Sequence, residues 1–276
     1  MLDETSWDIR CTRVARLFHG SGMRVLAALF WYCVALAMGS AVAKAEAAKT
    51  LDSVGLSQNI VVGFVGGFVH NEDLHHPEVQ LAERLREAYG EAVTVRVFGN
   101  WHRGEARRAI FVSLDKNRDG LLSGEERKNA RIVLFGHSWG ASAAISLAKE
   151  LQHESIPVLL TVQIDSIEKI GQNDAIIPTN VSRAINFYQK RGIFHGREII
   201  TAANPSQTQV LGNVLLDYRN KPVACQNIPW YDRFLFKDHI KIECDSEVWS
   251  RVEKLIRGEL NLDSSQQRSD TINSTF

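Results

Sequence analysis

Residues 131–140 read Arg131-Ile-Val-Leu-Phe135-Gly136-His137-Ser138-Trp139-Gly140, and an alanine-rich stretch of helical type follows over residues 141–151. The order is apolar strand, Gly-x-Ser-x-Gly, helix. A strand that becomes a helix within so few residues strains the backbone of the central residue. Its neighbours two before and two after must then be small. The turn lifts the Ser138 hydroxyl over the strand end, and the helix N-terminus beneath it favours developing negative charge. These ten residues therefore give a candidate nucleophile and also imply a sheet whose strands feed helices. The competing reading is a glycine-lined turn in which Ser138 only caps the helix.

Working outward, residues 59–65 form an apolar strand that runs into Gly66-Gly67-Phe68. Pro77 then opens an amphipathic helix with Val79, Leu81, Ala82, Leu85 and Ala88 at helical spacing. Strands are expected over residues 92–98, 157–164 and 198–202. Helices are expected over residues 105–114, 179–189 and 247–256, and a polar tail over residues 261–276. Alternating strands and helices predict an α/β chain. Its central sheet is mostly parallel with helices on both faces, in one domain over residues 46–260.

A serine hydroxyl is a weak nucleophile without a base. His239 lies late in the chain, just before the last helix. His137 lies inside the turn, His153 on a charged patch and His195 in a glycine-bracketed loop. Asp165 closes the apolar run 159–165 and is the preferred acid, with Asp174 and Asp217 as alternatives. A carboxylate there can orient the imidazole and stabilise the imidazolium. Oxyanion donors are expected from the N–H of Trp139 and from Gly67 or Phe68, where glycine lets backbone approach a substrate. His70, His75 and His76 invite a metal reading, but no cysteine is near and a second half of such a site is missing. Rim or capping roles are preferred for them.

Taken together, Gly66-Gly67-Phe68, the elbow Gly136-His137-Ser138-Trp139-Gly140, Asp165 and His239 resemble the α/β-hydrolase superfamily in its lipase and esterase branch, over residues 57–258. The resemblance implies an eight-strand-type sheet, a Ser138-His239-Asp165 triad and cleavage of carboxylic esters, with thioesters as the alternative substrate. One departure is that most members carry the acid one strand later than Asp165.

A second motif precedes the elbow. Asp115-Lys-Asn117-Arg-Asp119-Gly120-Leu121-Leu-Ser123-Gly-Glu-Glu126 resembles the twelve-residue EF-hand loop. Side-chain oxygens would come from Asp115, Asn117 and Asp119, a carbonyl from Leu121, a water-mediated contact from Ser123 and a bidentate carboxylate from Glu126. Gly120 stands at the sharp turn. No second loop pairs with it, so a structural calcium ion is expected and no organic cofactor. The rival reading of the whole chain is a non-enzymatic calcium-binding protein on a hydrolase scaffold.

Thirty-two basic and 32 acidic residues among 276 give no global charge to attract nucleic acid. The expected partner is a small-molecule or lipid ester. The charge average hides an N-terminal segment with Arg10, Arg13, Arg16 and Arg24, an apolar run over residues 25–42, and Ala43-Lys44-Ala45. It reads as a signal peptide over residues 1–45, with Met23 as an alternative start. Secreted or periplasmic protein is expected. The alternative is a membrane anchor formed by residues 25–43 if the segment is not cleaved. After cleavage only Cys225 and Cys244 remain, a candidate disulfide that would close a loop containing His239.

Overall fold

The computed structural model describes residues 58–192, 194–226 and 230–273, with residues 230–236 and 262–273 described by backbone alone. All lie in one compact unit, Leu56–Phe276. The segment read as a signal peptide or anchor lies outside the described residues.

Strand β1 (Gln58–Val65) leads through helix α1 (Pro77–Tyr89) to β2 (Val93–Gly99). Helices α2 (Arg103–Leu114) and α3 (Gly124–Lys128) then lead to β3 (Ala130–His137), and α4 (Trp139–His153) to β4 (Val158–Ile164). Next come β5 (Ile176–Ile177), β6 (Val181–Tyr188), β7 (Thr201–Ala202) and β8 (Gln209–Leu215), then α5 (Trp230–Cys244) and α6 (Ser246–Asn273). The central sheet has six strands in the order β2-β1-β3-β4-β6-β8, and every pairing in it is parallel. β5 and β7 form a separate two-stranded ladder.

Side chains alternate across each central strand, so each strand serves two cores. Val61 and Val65 of β1 and Val133 and Phe135 of β3 pack with Leu81 and Leu85 of α1 and with Trp249, Val252 and Ile256 of α6. Ile60, Val62 and Phe64, with Ile132 and Leu134, face the other way toward Ala106 and Ile110 of α2 and Ile145 and Leu147 of α4. This is the parallel, doubly covered sheet that the alternation predicts. It has six strands, where the resemblance implied eight.

Two expected elements differ. Residues 179–189 form a strand, β6, not a helix. The sixth strand of the sheet is β8, beyond residues 198–202, which supply only the two-residue β7. The helical backbone of α6 also continues through residues 261–273, which the sequence reading left as a polar tail.

The topology fixes where a ligand can sit. β1 connects to β2 on one side, and β3 connects to β4 on the other, so the loops after β1 and β3 diverge. A crevice at the carboxyl end of such a switch point is where open α/β sheets bind ligands. Residues 66–69 and Ser138 both lie there.

Candidate active site

Ser138 sits between β3 and α4 at φ 56° and ψ −125°, outside the conformations an L-residue prefers. Its two flanking glycines are compulsory for different reasons. A Cβ on Gly136 would lie 2.5 Å from the carbonyl carbon of Gly140, and one on Gly140 would lie 2.2 Å from the carbonyl oxygen of Phe64. The elbow thus closes on itself and on β1 at once. The Ser138 N–H donates to the Ile164 carbonyl of β4, 2.9 Å away, which pins the strained residue to the neighbouring strand end.

His239 reaches Ser138 from α5. This helix is broken at Lys237, whose φ of 26° and ψ of −102° are not helical, so His239 falls in the first turn of its second half. His239 Nε2 lies 3.0 Å from Ser138 Oγ, and Nδ1 lies 2.7 Å from Asp165 Oδ2. All three side chains are buried. Asp165 follows β4 with φ 44°. Its backbone N–H donates to the Phe187 carbonyl at 2.7 Å, and its carboxylate accepts. Oδ1 takes the N–H groups of Gln189 at 3.1 Å and Gly196 at 2.8 Å, and Oδ2 takes the Gln189 side-chain amide at 2.9 Å. Gly196 is needed for that approach, since a Cβ there would lie 2.4 Å from Asp165 Oδ1. With its other lone pairs filled by donors, the carboxylate has one acceptor direction toward imidazole Nδ1. That favours the tautomer with Nε2 free to accept the serine proton.

The alternative acids are engaged elsewhere. Asp174 accepts from Ser166 Oγ at 2.6 Å and pairs with Arg197, and Asp217 is exposed and pairs with Arg219. His153 and His195 are exposed. His137 is buried, with its ring stacked on that of His239 at 4.7 Å between centroids. Burial pushes its pKa down to about 4, so at neutral pH the stack adds no positive charge beside the imidazole.

The loop after β1 lies against the nucleophile. A Cβ on Gly66 would come 3.1 Å from Ser138 Cβ, and Gly67 has φ 46°. Buried Asn100 holds this loop, donating its amide to the Gly67 carbonyl at 2.6 Å and the Val65 carbonyl at 3.3 Å. Lys169 in turn donates to Asn100. Asn100 was not singled out from the sequence. Its signal was weak, a lone polar residue at the end of a strand. Gln189 was missed because it fell at the end of a segment read as helix.

Around the mouth, Phe68 is 83% exposed and Trp101 47% exposed. The Phe68 ring meets Trp101 at 5.9 Å and the edge of Trp139 at 5.6 Å. A cleft of about 460 Å³ opens beside the acid rather than over the serine, lined by Ser166, Ile167, Glu168, His195, Arg197 and Ile199. Ile167 at its edge donates its N–H to the Ser138 carbonyl.

The disulfide candidates are joined: Cys225 and Cys244 are bonded, with Cα atoms 5.5 Å apart. The bridge ties the last residue of α5, five beyond His239, to the loop after β8. In the acidic loop, the Asp115 carboxylate accepts the N–H groups of Asp119 and Gly120, and Asp119 that of Leu121. Asn117 bridges Asp119 through its amide. Ser123 and Glu126 form a reciprocal cap on α3, and Glu126 also accepts the Lys116 N–H. Gly120 has φ 80°, as the sharp turn requires. The histidines set aside from a metal role divide. His70 and His75 are exposed, whereas His76 hydrogen-bonds at 2.6 Å to Glu243, a buried carboxylate far along the chain.

Among solved structures, the chain is similar to a cutinase-like protein from Cryptococcus sp. The identity is 12% and the TM-score 0.40, and the match covers 75% of this chain and 97% of that one. No family model matches the chain. No curated protein matches it either. Among the described residues, no helix is long and apolar enough to cross a membrane.

Proposed function

We propose that this protein is a serine hydrolase of the α/β-hydrolase type that cleaves carboxylic esters with an apolar acyl or alcohol part. The observation that carries the reading is the continuous chain from Ser138 Oγ through His239 to Asp165, at 3.0 and 2.7 Å, on a strained elbow. In the acylation step Ser138 Oγ attacks the ester carbonyl while His239 Nε2 takes its proton. The tetrahedral oxyanion is met by the N–H of Trp139 and one from Gly67 or Phe68. His239 then returns the proton to the leaving alcohol. Water attacks the acyl-enzyme with His239 again as base, and the carboxylic acid leaves. Asp165 orients the imidazole and stabilises the imidazolium. The aromatic rim, with Phe68 and Trp101 exposed and Trp139 half-buried beside them, supports an apolar substrate.

A structural calcium ion at residues 115–126 belongs to the same proposal. The donor set is all oxygen, as a hard cation requires, and the loop already has its sharp turn at Gly120. Calcium would brace the connection into β3 and supply no step of the reaction. Secretion is proposed on the signal-type N-terminus, and the Cys225–Cys244 bridge supports an oxidising compartment.

A fluorophosphonate probe with intact-mass readout tests the activity. Stoichiometric labelling of the wild type that is lost in Ser138→Ala is expected, together with turnover of p-nitrophenyl esters. Absence of labelling in folded protein would overturn the enzyme reading in favour of a calcium-binding scaffold.

A further inference from the structure

Behind the candidate triad lies a second polar cluster that the reaction does not use. His76 precedes α1, Glu78 stands in its first turn and Glu243 lies near the end of α5. One ligand-type atom from each falls within 4.8 Å of the others. His76 Nδ1 is 2.6 Å from Glu243 Oε1. His137 Nδ1 faces the same place, 3.7 Å from Glu243 Oε2 and 3.8 Å from Glu78 Oε1.

The cluster is deeply buried. Glu78 is 1% exposed, His137 3% and Glu243 4%. Among the described residues, neither Glu78 oxygen has a hydrogen-bond partner, and His137 Nε2 has none either. Two carboxylates side by side in a low-dielectric interior, one of them without a donor, are costly unless a positive charge lies between them.

We infer that His76, Glu78 and Glu243, with His137 Nδ1 as the fourth donor, form a binding site for a divalent transition metal of the zinc class. Two imidazoles and two carboxylates match the nitrogen-and-oxygen donors that zinc takes in four-coordinate sites. The two imidazole nitrogens set the site apart from a calcium site, whose ligands are oxygens. The ion's two positive charges would cancel both carboxylates. It would join the start of α1 to two segments that carry the candidate active site: the elbow through His137, and α5, where Glu243 stands one turn after His239. Its role is to hold the His137–His239 stack in place, and no bond of the reaction is made at the metal.

The test uses the full chain stripped with chelator and then titrated with zinc chloride alone. One equivalent of bound zinc by elemental analysis is expected, with a rise in melting temperature that excess calcium does not reproduce. Cobalt(II) in its place should give the visible absorption of a four-coordinate site. Glu78→Gln keeps the shape and removes the charge, so it should stay folded while zinc affinity drops at least tenfold. Glu243→Gln should lose binding as well, with folding checked by circular dichroism. Ser138→Ala should bind zinc as wild type does, which separates this site from the hydrolase reading. A wild type that takes up no zinc at tens of micromolar would overturn the inference, and so would a folded Glu78→Gln that keeps its full equivalent.

Discussion

At the scale of single residues, the elbow shows how one missing Cβ can be worth more than a side chain. Gly140 has no room: a methyl there would meet the Phe64 carbonyl oxygen at 2.2 Å, so β1 and α4 would have to separate. Gly104, in the first turn of α2, has open space around its Cα and ordinary helical geometry. Gly140→Ala is expected to destabilise the fold by about 3 kcal/mol, the upper range for overpacking a closed interior. Gly104→Ala is expected to stabilise it by about 0.5 kcal/mol through reduced backbone entropy in the unfolded chain. Urea unfolding of both variants checks the pair, and equal effects would contradict this reading of the elbow. Ser138, His239 and Asp165, which the fold brings together, could be picked out as candidates because each carries a chemical type and a chain order. Gln189, Gly196 and Asn100 could not. They act only by donating to, or making room for, a group brought near by the fold, and residue type alone does not reveal such a partner.

At the scale of elements, β6 shows where periodicity misleads. Val181, Ala184, Ile185 and Tyr188 fall at i, i+3, i+4 and i+7, a helical stripe. The segment is nonetheless a strand between β4 and β8, buried continuously from Ala184 to Tyr188. A strand covered on both faces needs no polar alternation, so its apolar positions can imitate a helix. Asn186 is tolerated there because its amide donates to the Arg197 carbonyl at 2.7 Å. β8 was illegible for the opposite reason. It is a half-exposed edge strand, with Gly212 and a register shift opposite Ala184 and Ile185. The acidic loop before β3 was legible as a pattern, and its function is decided at this scale. Glu126 closes the loop on both Lys116 and Ser123, so removing its charge loosens the α2–α3 connection with or without an ion. If calcium binds there, wild-type melting temperature rises with calcium and falls with a calcium-selective chelator. Glu126→Gln should lose most of that response. A melting temperature indifferent to calcium and chelator in the wild type would remove the ion from the proposal.

At the scale of the whole molecule, the two helices that cover one face of the sheet, α1 and α6, come from distant parts of the chain and meet over a shared apolar core. Their polar edge is joined by Glu253 of α6, which takes Arg84 of α1 at 2.7 Å and Arg257 of its own helix at 2.7 Å. Burial works against the charge on Glu253, but the hydrogen bonds from Arg84 and Arg257 outweigh it, so its pKa lies below the usual value. A carboxylate with a lowered pKa in the folded state binds protons less readily there than in the unfolded chain. Its contribution to stability is therefore complete above the unfolded value, near 4.3, and is lost as pH falls through the folded one. Because the group is partly exposed and screened, the contribution is about 0.5 to 1 kcal/mol. Glu253→Gln should thus melt ~1 to 4 °C below wild type at pH 7. That gap should shrink as pH falls through the carboxylate range and close once the wild-type side chain is also protonated. Thermal unfolding of both proteins across that range, with metal-free buffer throughout, is the measurement. An offset that stays constant with pH would mean that the residue acts through packing, and the two helices would then be joined by their apolar core alone.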